Sequence, residues 1–179
     1  HLSKIAAKAT FPPNVFLHFE KISDLRYGEN PHQRASFYRW GADRPRGLAS
    51  ATQIQGKELS YNNLVDLDAA WNLVREFDDP ACCVVKHTNP CGAAIGDSAK
   101  DAYLKAYEAD KISAFGSIIA LNTIVDAGAA IELVKLFVEA IVAPGFDPEA
   151  LQQFAMKKSL PILSMENMDT GNQSSAFWC

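Results

Sequence analysis

Two rhythms of apolar residues run along this chain, and they exchange at regular intervals. Residues 81–85, Ala-Cys-Cys-Val-Val, form an unbroken small and β-branched run, which predicts a short strand buried on both faces. Ser117-Ile-Ile-Ala-Leu121 and Ala140-Ile-Val-Ala143 read the same way, and residues 160–163 add one more strand. Between these runs the period is three to four. Leu64, Leu67, Trp71 and Val74 make one apolar stripe, capped at Ser60 or Asn62 and ended by Asp78-Asp79-Pro80. Ser98 with Asp101 resembles a capping box for a helix to Ala109. Asp126 caps a helix running through Val138 with Ile131, Val134 and Phe137 inward, and Asp147-Pro148-Glu149 opens another that runs to Lys157. Strand and helix therefore alternate from Ser60 onward. That predicts an α/β fold of three layers, a mostly parallel sheet with helices on both faces.

Upstream the pattern is less regular. Residues 14–20 alternate Val15, Leu17 and Phe19 against Phe16, His18 and Glu20, as an edge strand would, and residues 35–40 read as a strand leading into the loop 41–47. Between them, residues 24–34 are dense in hydrogen-bonding groups and broken by Gly28 and Pro31, so they form an irregular loop. Residues 2–9 look like a helix end stopped by Phe11-Pro12-Pro13. The chain thus divides into a linker at 1–13, a folded unit at 14–164 and a polar tail at 165–179 that follows no period. It opens on His1 without an initiator Met, as a piece of something longer would.

Composition narrows the partners. With 179 residues and 48% hydrophobic positions, the chain can bury one good core. A net charge of −4 with scattered Lys and Arg gives no basic field, which argues against nucleic acid. Adjacent Cys82 and Cys83 point to opposite faces of their strand, so the four cysteines fit a reducing compartment better than a disulfide framework. No apolar run approaches the roughly 20 residues that span a bilayer. These features predict a soluble, cytoplasmic protein.

The chemistry gathers after the run 81–85, where Lys86-His-Thr-Asn-Pro-Cys-Gly92 turns abruptly polar. Lys86 and His87 stand at a strand's carboxyl end, where open α/β sheets bind ligands, and Asn89-Pro90 reads as the turn that follows. Three chemistries compete for these residues. His87 and Cys91 supply half of a deaminase zinc site, but the second Cys and the Glu are missing, so no metal is expected. Cys91 ahead of a helix start, paired with His87, would make a thiol nucleophile. The third reading is base catalysis by His87, an imidazole suited to moving protons near neutrality, with the Lys86 ammonium stabilising an oxyanion. Arg26 then offers a planar fork for an anion, and Tyr27 a flat face.

Five blocks carry a resemblance: Leu25-Arg-Tyr-Gly-Glu-Asn-Pro-His-Gln33, Gln55-Gly-Lys-Glu-Leu-Ser-Tyr-Asn-Asn63, Val85-Lys-His-Thr-Asn-Pro-Cys-Gly92, Ser113-Ala-Phe-Gly116 and Ile141-Val-Ala-Pro-Gly145. In order and spacing the chain, from Phe11 to Leu163, resembles the bifunctional purine biosynthesis proteins. These join aminoimidazole carboxamide ribonucleotide (AICAR) formyltransferase to inosine monophosphate (IMP) cyclohydrolase. The resemblance implies formyl transfer from the co-substrate 10-formyltetrahydrofolate to the amino group of AICAR, in a cytoplasmic homodimer. It implies His87 as proton acceptor and Lys86 as transition-state stabiliser. Arg26, Tyr27, Gly116 and Glu139 match ribonucleotide-binding positions, and His32 matches a histidine near the site. It also implies a cytidine-deaminase-like unit, the first of two in the transferase region. Ser117 departs from the usual Gly or Asp. The cyclohydrolase domain and the second transferase unit, which brings folate contacts, are not in this sequence, and the tail departs from the family's continuation. The alternative from another class is a module that binds a nucleotide or a partner subunit without turnover.

Overall fold

A computed structural model describes residues 14–41 and 47–165. The expected linker, most of the loop 41–47 and the tail after Met165 lie outside the described residues. In order, the elements are β1 (Phe19–Asp24), β2 (Ser36–Trp40), a 3-10 turn (Gly47–Ser50), β3 (Thr52–Gln55), α1 (Tyr61–Val74), β4 (Ala81–Lys86) and β5 (Asn89–Ile95). They continue with α2 (Ala99–Ala109), β6 (Ser117–Leu121), α3 (Ala127–Leu133), β7 (Val138–Ala143), α4 (Pro148–Phe154) and β8 (Ile162–Ser164).

Among the described residues β3 to β8 form one sheet in the order β3-β8-β7-β6-β4-β5, with β1 and β2 a separate antiparallel pair. The fold is the expected three-layer α/β arrangement. β6, β7 and β8 are parallel neighbours, and β5 runs in their direction too, so the sheet is mostly parallel in sense. β4 and β3 oppose them. The strands alternate between two cores, as their unbroken apolar runs require. Cys82, Val84, Ile119, Leu121 and Ile141 meet Tyr103 of α2, Leu133 of α3 and Phe154 of α4. Cys83, Val85, Ile118, Ala120 and Val142 meet Leu64, Leu67, Trp71 and Val74 of α1. Burying each such α1 side chain contributes about 1.5–3 kcal/mol, whereas the Ser60 cap with its partner Asn63 contributes about 1 kcal/mol. Docking, not capping, holds α1 in place.

Several expectations shift. The Asn89-Pro90 turn is instead the start of β5, antiparallel to β4, and the reversal falls on His87 and Thr88. Pro90 is accommodated because β5 is an edge strand and its register with β4 slips between Val84 and Val85. The first strand begins at Phe19 rather than residue 14, because its partner β2 ends at Trp40 opposite Phe19, leaving Val15 and Phe16 exposed. β3, with a single large apolar residue, escapes the pattern altogether. The helix after Asp126 stops at Leu133 and does not reach Val138, since the chain must turn to enter β7, and Ile131 and Phe137 stay exposed. α4 ends at Phe154 and not Lys157, where Gln55 Nε2 takes over by donating to the carbonyls of Phe154, Lys157 and Leu160 at 3.2, 3.2 and 3.3 Å.

Candidate active site

At one end of the sheet β3 and β4 finish while β5, β6, β7 and β8 begin. Lys86 and His87 do lie at a strand's carboxyl end. Because β4 runs against β6, however, that end is where the parallel trio starts, not the edge at which parallel sheets ordinarily bind ligands.

His87 and Thr88 reverse the chain with φ of 52° and 61°, the mirror-image turn that Asn and Gly usually make. Strain of this kind costs on the order of 1–3 kcal/mol per residue and persists only where the surroundings hold it. Asp66, partly buried on α1, accepts from the backbone N–H of His87 at 3.2 Å and of Thr88 at 2.7 Å. The carbonyl of His87 accepts from Thr88 Oγ1 at 2.7 Å and Asn89 Nδ2 at 2.8 Å. Bonds to a carboxylate contribute about 1.5–3 kcal/mol each, so even reduced by exposure the Asp66 pair is of the same size as the strain. The backbone is tied down, and the imidazole is left exposed.

Next to it, Lys86 Nζ donates to the carbonyl of Phe115 at 2.9 Å. An ammonium has three donors, so two remain for a ligand. Phe115 belongs to the Ser113-Ala-Phe-Gly116 loop, which Asp110 builds by accepting from Ile112 N, Ser113 N and Ser113 Oγ at 3.1, 3.0 and 2.6 Å. Those bonds, the Ser113 hydroxyl first, hold the Asp110 carboxyl below the usual range. Gly116 has a φ of +74° and donates to the carbonyl of Phe137 at 2.9 Å. The buried Ser117 is satisfied by the carbonyl of Ala114 at 2.7 Å, so the loop admits this departure from Gly or Asp.

Arg26 and Tyr27 meet each other: the guanidinium lies over the ring, 4.7 Å from its centroid, and Nη2 donates to the phenol oxygen at 3.0 Å. Their loop is fastened to the start of α1. Arg26 N donates to Leu59 O at 2.9 Å, Tyr61 N to Tyr27 O at 3.0 Å, and Asn62 Nδ2 to Glu29 O at 3.0 Å. Asn62 and Asp66 sit one helical turn apart, about 6 Å of rise, so one edge of α1 carries both the Arg26 loop and the His87 turn. His32 is at the exposed tip of that loop. Glu139, the second residue of β7, pairs with Lys57 at 3.6 Å, beside a cleft lined by Phe137, Lys157 and Pro161. Among the described residues, no hydrogen bond or ion pair joins His32 or Glu139 to the other five.

The thiol reading does not survive. Cys91 Sγ donates to the carbonyl of Val84 at 3.4 Å, and burial raises its pKa rather than lowering it. Burial likewise pushes Cys83 up to about 11 and Cys82 well above the usual thiol value. Among the described residues no group of three His, Cys, Asp or Glu side chains is placed to hold a metal ion. Nor is any helix among them long and apolar enough to cross a membrane. Sequence reasoning missed Asp66, Lys57 and the carbonyl of Phe115. The only trace of Asp66 is its spacing of four from Asn62 on the polar side of the α1 stripe.

The sequence profile of the AICARFT/IMPCHase bienzyme family matches residues 1–177. The match reaches beyond the five motif blocks at both ends and takes in nearly all of the segment set apart as a tail.

Proposed function

Since the chain belongs to the AICARFT/IMPCHase bienzyme family of purine biosynthesis, we propose that it carries the base and the electrostatic stabiliser of the formyl transfer from 10-formyltetrahydrofolate to AICAR. The AICAR amine attacks the formyl carbon while the His87 imidazole takes its proton. Negative charge develops on the formyl oxygen, and Lys86 donates to it. Collapse of the tetrahedral intermediate returns the electron pair, with a proton, to the folate nitrogen that leaves. Arg26 and Tyr27 bind the anionic, flat ribonucleotide, with Gly116 and Glu139 lining its course and His32 near its rim. The observation that carries this reading is Lys86 held at 2.9 Å on the carbonyl of Phe115, between His87 and the Gly116 loop. A pre-positioned ammonium needs little reorganisation as charge develops.

The test is formyl transfer by the full-length protein carrying His87→Ala. Loss of a general base lowers kcat by about 10²–10⁴-fold, and turnover within about tenfold of the parent would remove the assignment. Calorimetry with AICAR separates the alternative: binding retained with no turnover in the parent protein marks a module and not an enzyme. The same reading includes a cytoplasmic homodimer that completes the site. The exposed apolar residues Phe19, Tyr38 and Trp40 of β1 and β2, with Val15 and Phe16 just before β1, support the self-association.

A further inference from the structure

We infer that Asp66 is the positioning residue of the catalytic turn, holding His87 through its backbone without entering the reaction. The inference rests on His87 being the base. A two-residue hairpin connection with both φ values positive is most cheaply built from Asn and Gly, yet this chain places His and Thr there. The sequence of the turn therefore works against its own geometry. What restores it comes from outside the hairpin: both strained amides point at one carboxylate, at 3.2 and 2.7 Å, carried by a helix whose opposite side is locked into the core.

A bidentate acceptor on a rigid helix fixes two successive N–H vectors together. It therefore sets where the Cα–Cβ bond of His87 points. Release of one bond lets the peptide between His87 and Thr88 rotate, and the imidazole turns with it. Neither substituent on the turn replaces this hold, because Thr88 Oγ1 and Asn89 Nδ2 both serve the His87 carbonyl and not the amides. The same edge of α1 holds the Arg26 loop through Asn62, so Asp66 also sets the imidazole relative to the ribonucleotide-binding loop.

Steady-state formyl transfer by the full-length protein tests this with Asp66→Asn and Asp66→Ala, each in the parent and in the His87→Ala background. Asn keeps one acceptor oxygen at nearly the same volume. The expected order of kcat is Asp, then Asn, then Ala, with Ala about 10–100-fold down and KM for AICAR changed by less than about threefold, as for a group that acts on the chemical step. In the His87→Ala background the Asp66 substitutions lower kcat no further, because Asp66 acts through a side chain already gone. Equal losses in both backgrounds overturn the inference and make Asp66 a structural residue only. So does an unchanged kcat in Asp66→Ala where His87→Ala alone is impaired, and that outcome leaves the base assignment standing. An unimpaired His87→Ala removes both. Should Asp66→Ala fail to fold, the Asn variant carries the comparison by itself.

Discussion

A methyl group added at Gly116 would meet nothing closer than Phe137 Cε1 at 3.9 Å, so space does not forbid a side chain there. The backbone does, because φ is +74°. Gly116→Ala therefore isolates the left-handed conformation itself, at about 1–2 kcal/mol, which for a domain of this size lowers Tm by about 2–8 °C. An unchanged Tm in thermal unfolding would show that the loop relaxes into another conformation. Such relaxation would also move the carbonyl of Phe115 away from Lys86, coupling stability to the site through one peptide. His87 solves a similar backbone problem differently, by borrowing a carboxylate from α1.

β4 depends on its far end as much as on the site. Asn122, just past β6, accepts from Ala81 N at 2.7 Å and donates to the carbonyls of Phe77 and Asp79 at 2.9 and 2.8 Å. It pins the entry of β4 to the exit of β6 and closes the turn after α1. Asn122→Ala loses all three bonds, a destabilisation of about 2–3 kcal/mol, read as a lower denaturant midpoint at unchanged m-value. Asn122→Asp keeps the acceptor and loses the donor, so it falls between. Elements of this kind show how far the sequence could be read. The buried strands and α1 are legible because an apolar run or stripe encodes burial directly. The β4–β5 hairpin is not, because its turn lacks Gly and its stabiliser lies 21 residues upstream on α1. The overrun of α3 has a related cause: Ile131 and Phe137 keep a helical period in a stretch that tertiary structure bends into β7. At the site, Lys86 and His87 stood out as an abrupt polar step after an apolar run. Arg26 and Tyr27 were legible as a fork and a flat face for an anionic ligand, whereas Gly116, Glu139 and His32 came only with the family resemblance.

On the scale of the whole molecule, acid stability follows from opposed carboxyl groups. Lys21 holds the Asp24 carboxyl below its usual range, Lys105 does so for Asp101, Ser113 for Asp110 and Lys135 for Glu132. Each contributes stability that is present above the ordinary carboxyl range and lost as pH falls through the depressed folded-state value. Asp68 works the other way: burial raises its pKa, so its contribution is complete in acid and is lost as pH rises. The depressed groups outnumber it. Denaturant midpoints should therefore fall on acidification below about pH 4, and Asp68→Asn should raise the midpoint at pH 7. A midpoint that rose in acid would mean that Asp68 outweighs the other four. The direction of the strands has its own electrostatic result. Where β6, β7 and β8 begin, α2, α3 and α4 end, so one layer turns the negative ends of its peptide dipoles toward that rim, and among the described helices α1 alone offers a positive end. Lys86 and Lys157 already sit against two carbonyls there, of Phe115 and Leu136. A phosphate reaching this rim is thus repelled from one side of the sheet and drawn to the other, toward the first turn of α1 and the guanidinium stacked beside it.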